Sequence, residues 1–148
     1  MKEIRCGLGT VPEESSKKRV NFKDLKSLLD KDIELGMRID FLKPSKLYAS
    51  QVWTDVDKLR EALNMVSNLR EPTALVIPVY IHKQQLRKGG SHRTIVIGDC
   101  HHRTLVWALN GLPVNGEIVA TSLPERLKKD IIPFSQFKRL HASEVLTF

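Results

Sequence analysis

Thr94-Ile95-Val96-Ile97-Gly98-Asp99-Cys100-His101-His102-Arg103-Thr104-Leu105 is the stretch on which the fold turns. Its first four residues form a short, largely β-branched apolar run, the pattern of a buried strand. Within three residues the period changes. Leu105, Ala108 and Leu109 share one helical face, and Asn110-Gly111 is a helix stop. The junction is therefore a strand-to-helix turn. The first N–H groups of such a helix have no partner within it and lie at the positive end of its dipole, so they attract anions. Gly98 permits a tight turn and close approach of a ligand to the backbone. Arg103 can make a forked, charge-assisted bond to phosphate oxygens, and Thr104 offers a hydroxyl. His101 and His102 can donate to phosphate, move protons or bind a metal through a neutral nitrogen. Helical spacing sets His101 one turn before Leu105, at the core edge, and Arg103 one turn before Trp107 on the more exposed side.

Working outward, Leu75 to Ile81 is rich in β-branched residues, and Pro78 confines it to an edge or to a late strand start. Between this run and Thr94 lies the polar hairpin loop Lys83 to Arg93, with Lys83, Arg87, Lys88, His92 and Arg93 around Gly89-Gly90. These cations can close over a nucleotide or follow a nucleic-acid backbone. Upstream, Val56, Leu59, Leu63 and Val66 mark an amphipathic helix, with Thr54 as its cap and Asp57 at its third position. Asn21 caps an earlier helix built on Phe22, Leu25, Leu28, Leu29 and Ile33, and Met37 to Leu42 is a weakly alternating strand. Downstream, Glu117 to Ala120 reads as a strand and Leu123 to Ile132 as a short helix between Pro124 and Pro133. Residues 1–20 read as a polar amino-terminal arm and 21–148 as one compact α+β domain, a small mixed sheet flanked by helices.

Composition sets the outer limits. The 148 residues carry a formal net charge of +7, which favours polyanionic partners such as nucleotide phosphates or DNA on a basic surface. No apolar run approaches the roughly 20 residues of a membrane span, so no membrane partner is expected. The amino terminus lacks the apolar stretch of a signal peptide, and the two cysteines, Cys6 and Cys100, match no metal or redox spacing. A cytoplasmic protein with reduced cysteines is the expectation.

The strand Leu75–Ile81, the glycine-containing loop, the strand Thr94–Ile97, the sequence Gly98-Asp99-Cys100-His101-His102-Arg103 and a helix ending at Gly111 together resemble the ParB/sulfiredoxin superfamily. The resemblance is strongest over residues 37–121. Members commonly carry Asp-Gly-His-His-Arg or a close variant at this junction. They include the nucleotide-binding domain of partition proteins, ParB-like nucleases, sulfiredoxins and free serine kinases. The resemblance implies a nucleotide (ATP, ADP or CTP) held by its phosphates at Gly98 to Thr104, usually with Mg²⁺ on Asp99. It also implies that Lys58 is similar to the lysine with which sulfiredoxins hold ATP, although the Ser and Thr that accompany that lysine are Glu61 and Met65 here. Two departures bear on the chemistry. Sulfiredoxins place their reactive cysteine directly before His-Arg, where this chain has His101. Serine kinases use an upstream glutamate as base, whereas Leu47-Tyr48-Ala49-Ser50-Gln51 holds no carboxylate, and Asp55 and Asp57 lie further on.

Three functions follow as expectations. The first is phosphoryl transfer or hydrolysis of a nucleotide, with Asp99, His101 and His102 as catalytic groups and Arg103 stabilising charge. The second is a metal-dependent ParB-like nuclease acting on DNA. The third is a switch that binds nucleotide or DNA without turnover.

Overall fold

The computed structural model describes residues 1–7, 18–24, 33–85, 89 and 91–146. Eight strands form one mixed sheet: β1 (Lys2–Arg5), β2 (Arg19–Asn21), β3 (Arg38–Asp40), β4 (Leu47–Ala49), β5 (Thr73–Gln85), β6 (Ser91–Ile97), β7 (Val114–Ala120) and β8 (Ile132–Pro133). Among the described residues there are three α-helices: α1 (Val56–Ser67), α2 (His101–Leu109) and α3 (Phe134–Leu146). The strand order is β2-β3-β7-β5-β6-β4-β8, with β1 beside β5. This is the expected α+β domain.

β5 is the axis of the sheet. β7 runs parallel to it along one side. The other side is shared between two strands: β1 pairs in parallel from Thr73 to Val76, and β6 pairs antiparallel from Val79 onward. Pro78 falls in the gap between them. Cys6 N–H donates to the Val76 carbonyl at 2.7 Å, so the Val76 and Pro78 backbone groups point to that same side. A residue without an N–H is tolerated there because no strand among the described residues faces it. The expectation that Pro78 marks an edge is thus corrected: β5 is central, and the interruption lies in its neighbours.

Ile95 and Ile97 face the main core with Ile77, Val79, Leu105 and Trp107, while Val96 points to the opposite face, against Leu123 and Leu127. Period-two alternation therefore buries both faces of β6. The three helices pack against one another, α2 resting on β5 and β7 and α3 on β4 and β8. No helix among the described residues is long and apolar enough to cross a membrane.

Four further expectations are corrected. The amino-terminal arm contributes β1 to the sheet and the start of β2. Lys83 to Arg93 is not a loop throughout, because β5 and β6 continue into it and pair Lys83 with Arg93 and Gln85 with Ser91. Leu123 to Ile132 is a single 3-10 turn at Glu125–Leu127 followed by β8, not a helix. Trp107 is fully buried, and its indole N–H donates to the Thr73 carbonyl at 3.0 Å. The helix expected after Asn21 is described only as a 3-10 turn at Phe22–Asp24, and residues 25–32 lie outside the described ones.

Charged side chains tie β1, β2, β3 and β7 together. Glu117 accepts from Arg5 at 2.7 Å and from Arg38 at 3.1 Å, Glu3 pairs with Arg19 and Arg38, and Arg19 also pairs with Asp40. Burial pushes the Glu3 carboxyl up, but hydrogen bonds from Arg19 and Asn115 and the charge of Arg38 outweigh it and hold it below the usual range.

Candidate functional site

The gap beside Pro78 positions the site. β1 ends there and α2 begins there, so Gly7, Pro78 and Asp99 meet. A Cβ on Gly7 would stand 3.1 Å from both Asp99 Oδ2 and Pro78 Cγ, and Gly7 has φ +98°. Only glycine suits that backbone and that space. Cys6 and Cys100, 94 residues apart in sequence, are joined by a disulfide at the same place. The expectation of two reduced, unlinked cysteines is corrected. Their spacing could not reveal a bond formed by strand pairing at the far end of the chain.

Beside this point opens a cavity of about 370 Å³, lined by Cys6, Gly7, Gln51, Trp53, Lys58, Glu61, Asp99, Cys100, His101, His102 and Arg103. Lys58 and Glu61 come from one face of α1, three residues apart. Asp55 caps α1, its carboxylate accepting from Asp57 N–H at 2.8 Å. Thr54, expected as that cap, instead donates to Glu144 Oε2 at 2.6 Å. Trp53 stands at the rim, 52% exposed, with Lys58 Nζ 5.8 Å from its ring centroid. Two cations, Lys58 and Arg103, thus face two carboxylates, Glu61 and Asp99.

The junction divides the predicted residues. Asp99 is exposed, and its Oδ1 accepts from Cys100 N–H at 2.8 Å. Cys100 is the residue before the first turn of α2, in the left-handed conformation with φ 67°. Thr104 N–H makes its bond to the Cys100 carbonyl, which leaves the N–H groups of His101, His102 and Arg103 ahead of the first intrahelical bond. Arg103 places Nη1 3.5 Å from Cys6 Sγ. Two residues expected to touch a ligand do not line the cavity. Gly98 is required because a Cβ there would collide with the Tyr80 ring. Thr104 is fully buried and donates its hydroxyl to the Cys100 carbonyl at 2.7 Å.

Both imidazoles are engaged by the backbone. His101 Nε2 accepts from Ser50 N–H at 3.0 Å, and His102 Nε2 accepts from Asp55 N–H at 2.9 Å. Each neutral ring therefore carries its proton on Nδ1. The Nδ1 of His101 is buried and has no partner among the described residues. Burial, reinforced by His102 and opposed by the charge of Asp99, pushes His101 down to about 4. His102 is also lowered, by burial and then by Lys58. Both are neutral near pH 7. A third histidine completes the clamp on this loop: His141 Nε2 lies 2.6 Å from the Val52 carbonyl, and its Nδ1 lies 3.3 Å from Glu144. The histidines hold Ser50 to Asp55, and with it Gln51 and Trp53, against the cavity.

Lys83 and Arg93 face each other across β5 and β6 and do not line the cavity, while Arg87 and Lys88 lie outside the described residues. Among the described residues no group of three or more His, Cys, Asp and Glu side chains is arranged to hold a metal. The carboxylates that line the cavity are Asp99 and Glu61. Glu61 is the lining carboxylate that sequence reasoning passed over. Its signal was its place three residues after Lys58 on one helix face.

Compared with protein-family models, curated proteins and solved structures, the chain matches none.

Proposed function

We propose that the chain binds a nucleotide through its phosphates at the start of α2 and transfers or hydrolyses its terminal phosphoryl group. The observation that carries this reading is one cavity holding Arg103, Lys58, Asp99 and Glu61 beside the first N–H groups of α2. The resemblance of Gly98 to Arg103 to the ParB/sulfiredoxin junction supports the same reading.

Arg103 forks onto phosphate oxygens, and Lys58 adds a point charge from the opposite wall. His101 and His102 hold the loop Ser50 to Asp55, and with it Gln51 and Trp53, beside the bound nucleotide. Glu61 accepts the proton of the attacking water or hydroxyl, and the Trp53 face receives the base. Mg²⁺, carried by the nucleotide onto Asp99, would neutralise charge on the phosphates. The balanced formal charge of the cavity agrees with a ligand that is itself a phosphate–cation pair.

A second reading has its own observation. Both Nε2 atoms are spent on Ser50 and Asp55, so the imidazoles act first as a latch on that loop. This favours a nucleotide-responsive switch without turnover.

The test is a melting-temperature screen with ATP, ADP and CTP, with and without Mg²⁺, followed by phosphate-release assays. A bound nucleotide must raise the midpoint. Arg103→Ala is expected to weaken binding by about tenfold or more, the worth of a charge-assisted pair. Stabilisation without release selects the switch. If no nucleotide raises the midpoint, and Arg103→Ala changes nothing, both readings fail.

A further inference from the structure

The Cys6–Cys100 disulfide lies in the wall of the proposed phosphate site, where the core that Cys6 joins meets the cavity. Both cysteines line the cavity, Cys100 half-buried and Cys6 3% exposed. The bond joins the end of β1 to the residue that opens α2. Arg103, the cation best placed for phosphate, rests its Nη1 3.5 Å from the Cys6 sulfur. An uncharged disulfide leaves that guanidinium and the α2 N–H groups available to an anion. Two thiols in the same place do not. A thiolate at a helix start or beside an arginine is stabilised and acts as an anion itself.

We propose that Cys6 and Cys100 are a thiol–disulfide exchange pair whose oxidation state sets the affinity of the α2 site for phosphate. The proposal rests on the phosphate reading above. The co-reactant is a dithiol reductant. One of its thiolates attacks the sulfur of Cys100, the more exposed residue of the two, the S–S bond breaks, and Cys6 leaves as a thiolate beside Arg103. The second thiol of the reductant then attacks the mixed disulfide and releases Cys100. One dithiol becomes a disulfide; the protein takes up two electrons and one proton, and the second proton goes to solvent. In the reduced protein Cys6 stays a thiolate paired with Arg103, and Cys100, beside that charge, is the protonated thiol. The Cys6 thiolate competes with phosphate for Arg103. By linkage, phosphate stabilises the disulfide to the same extent that the disulfide favours phosphate.

The experiment uses the full chain, oxidised and after incubation with dithiothreitol, with inorganic tripolyphosphate as the probe and circular dichroism as a check on folding. Thiols are counted without denaturant. Two reactive thiols should appear on reduction, and tripolyphosphate should bind the folded reduced form at least tenfold more weakly. A tenfold difference lowers the midpoint potential by about 30 mV when the probe is saturating. The Cys6→Ser, Cys100→Ser double variant should bind independently of reductant, and so should Arg103→Gln, more weakly. Equal affinity in both states overturns the proposal and leaves the phosphate site standing. No binding in either state, with the disulfide still exchanging, overturns the phosphate reading and the coupling together. A disulfide that yields only in urea, or a reduced chain that unfolds, shows a structural cross-link and overturns the exchange pair.

Discussion

At the scale of single residues, Gly98 and His101 do work that their types do not announce. Gly98 lies against the Tyr80 ring, which occupies the space of a Cβ. Gly98→Ala is expected to cost about 1–3 kcal/mol through overpacking. Urea denaturation checks this, and the cost should largely vanish in a Tyr80→Ala background because the two sites touch. His101 is buried neutral, with a value of about 4 against an ordinary 6.5. The unfolded chain therefore binds the proton more readily, and stability rises with pH across that interval. The contribution is complete above about pH 6.5 and is lost as pH falls toward 4, on the order of 3 kcal/mol from this group. Stability measured at intervals from pH 7 to 4, beside a proton NMR titration of the ring, checks it. A histidine titrating near 6.5 with flat stability contradicts it. Glycine at a turn and histidine at a junction were legible as special, but the sequence pointed both toward a ligand. A ring on β5 and a loop 50 residues upstream decide them instead, and both are neighbours distant in the chain.

At the scale of elements, the apolar periods were reliable guides where one face is buried and no polar residue interrupts it. Thr94–Ile97, Val56 to Val66 and the helix closing at Asn110-Gly111 all appear in place. α3 escaped notice because its buried stripe is Phe134, Phe137, His141 and Val145, and the histidine breaks the pattern to the eye. That residue is buried because it bridges Val52 and Glu144. β1 escaped for a different reason. Lys2-Glu3-Ile4-Arg5 buries little, and its pairing with β5 is a matter of backbone bonds and ion pairs, which leave no apolar period. α1 shows how a cap can shift by one residue when a competing partner exists. Thr54 is drawn to Glu144, and Asp55 takes the cap. Asp55→Ala should lower stability by about 1 kcal/mol, as loss of an N-cap does. Thr54→Val should leave the helicity of α1 unchanged while loosening α3, which amide exchange at the two helices would separate.

At the scale of the whole molecule, the outer strands are joined by charge. Glu117 is 6% exposed and receives Arg5 and Arg38, so its removal takes a carboxylate from both and leaves Arg38 on Glu3 alone. Glu117→Ala should cost about 2–3 kcal/mol, the range for hydrogen bonds to charged groups. The loss should depend only weakly on salt, because screening acts less on a buried pair. A loss below about 0.5 kcal/mol would place the network among surface pairs of little worth.

The sequence by itself determined the strand-to-helix junction, its polar residues and the α+β class, because apolar period and chain punctuation are local properties. It also brought Lys58 forward through a resemblance. Only the tertiary structure decided which of those residues share a cavity. β5 divides one side between β1 and β6, and the notch left at Pro78 gathers Gly7, Asp99 and the Cys6–Cys100 bond. Glu61 joins them from α1 and Trp53 from the loop before it, while Gly98 and Thr104 turn away to Tyr80 and to the backbone. Contacts between residues 50 or 90 positions apart depend on how strands pair, and strand pairing leaves no period in a single chain for the eye to read.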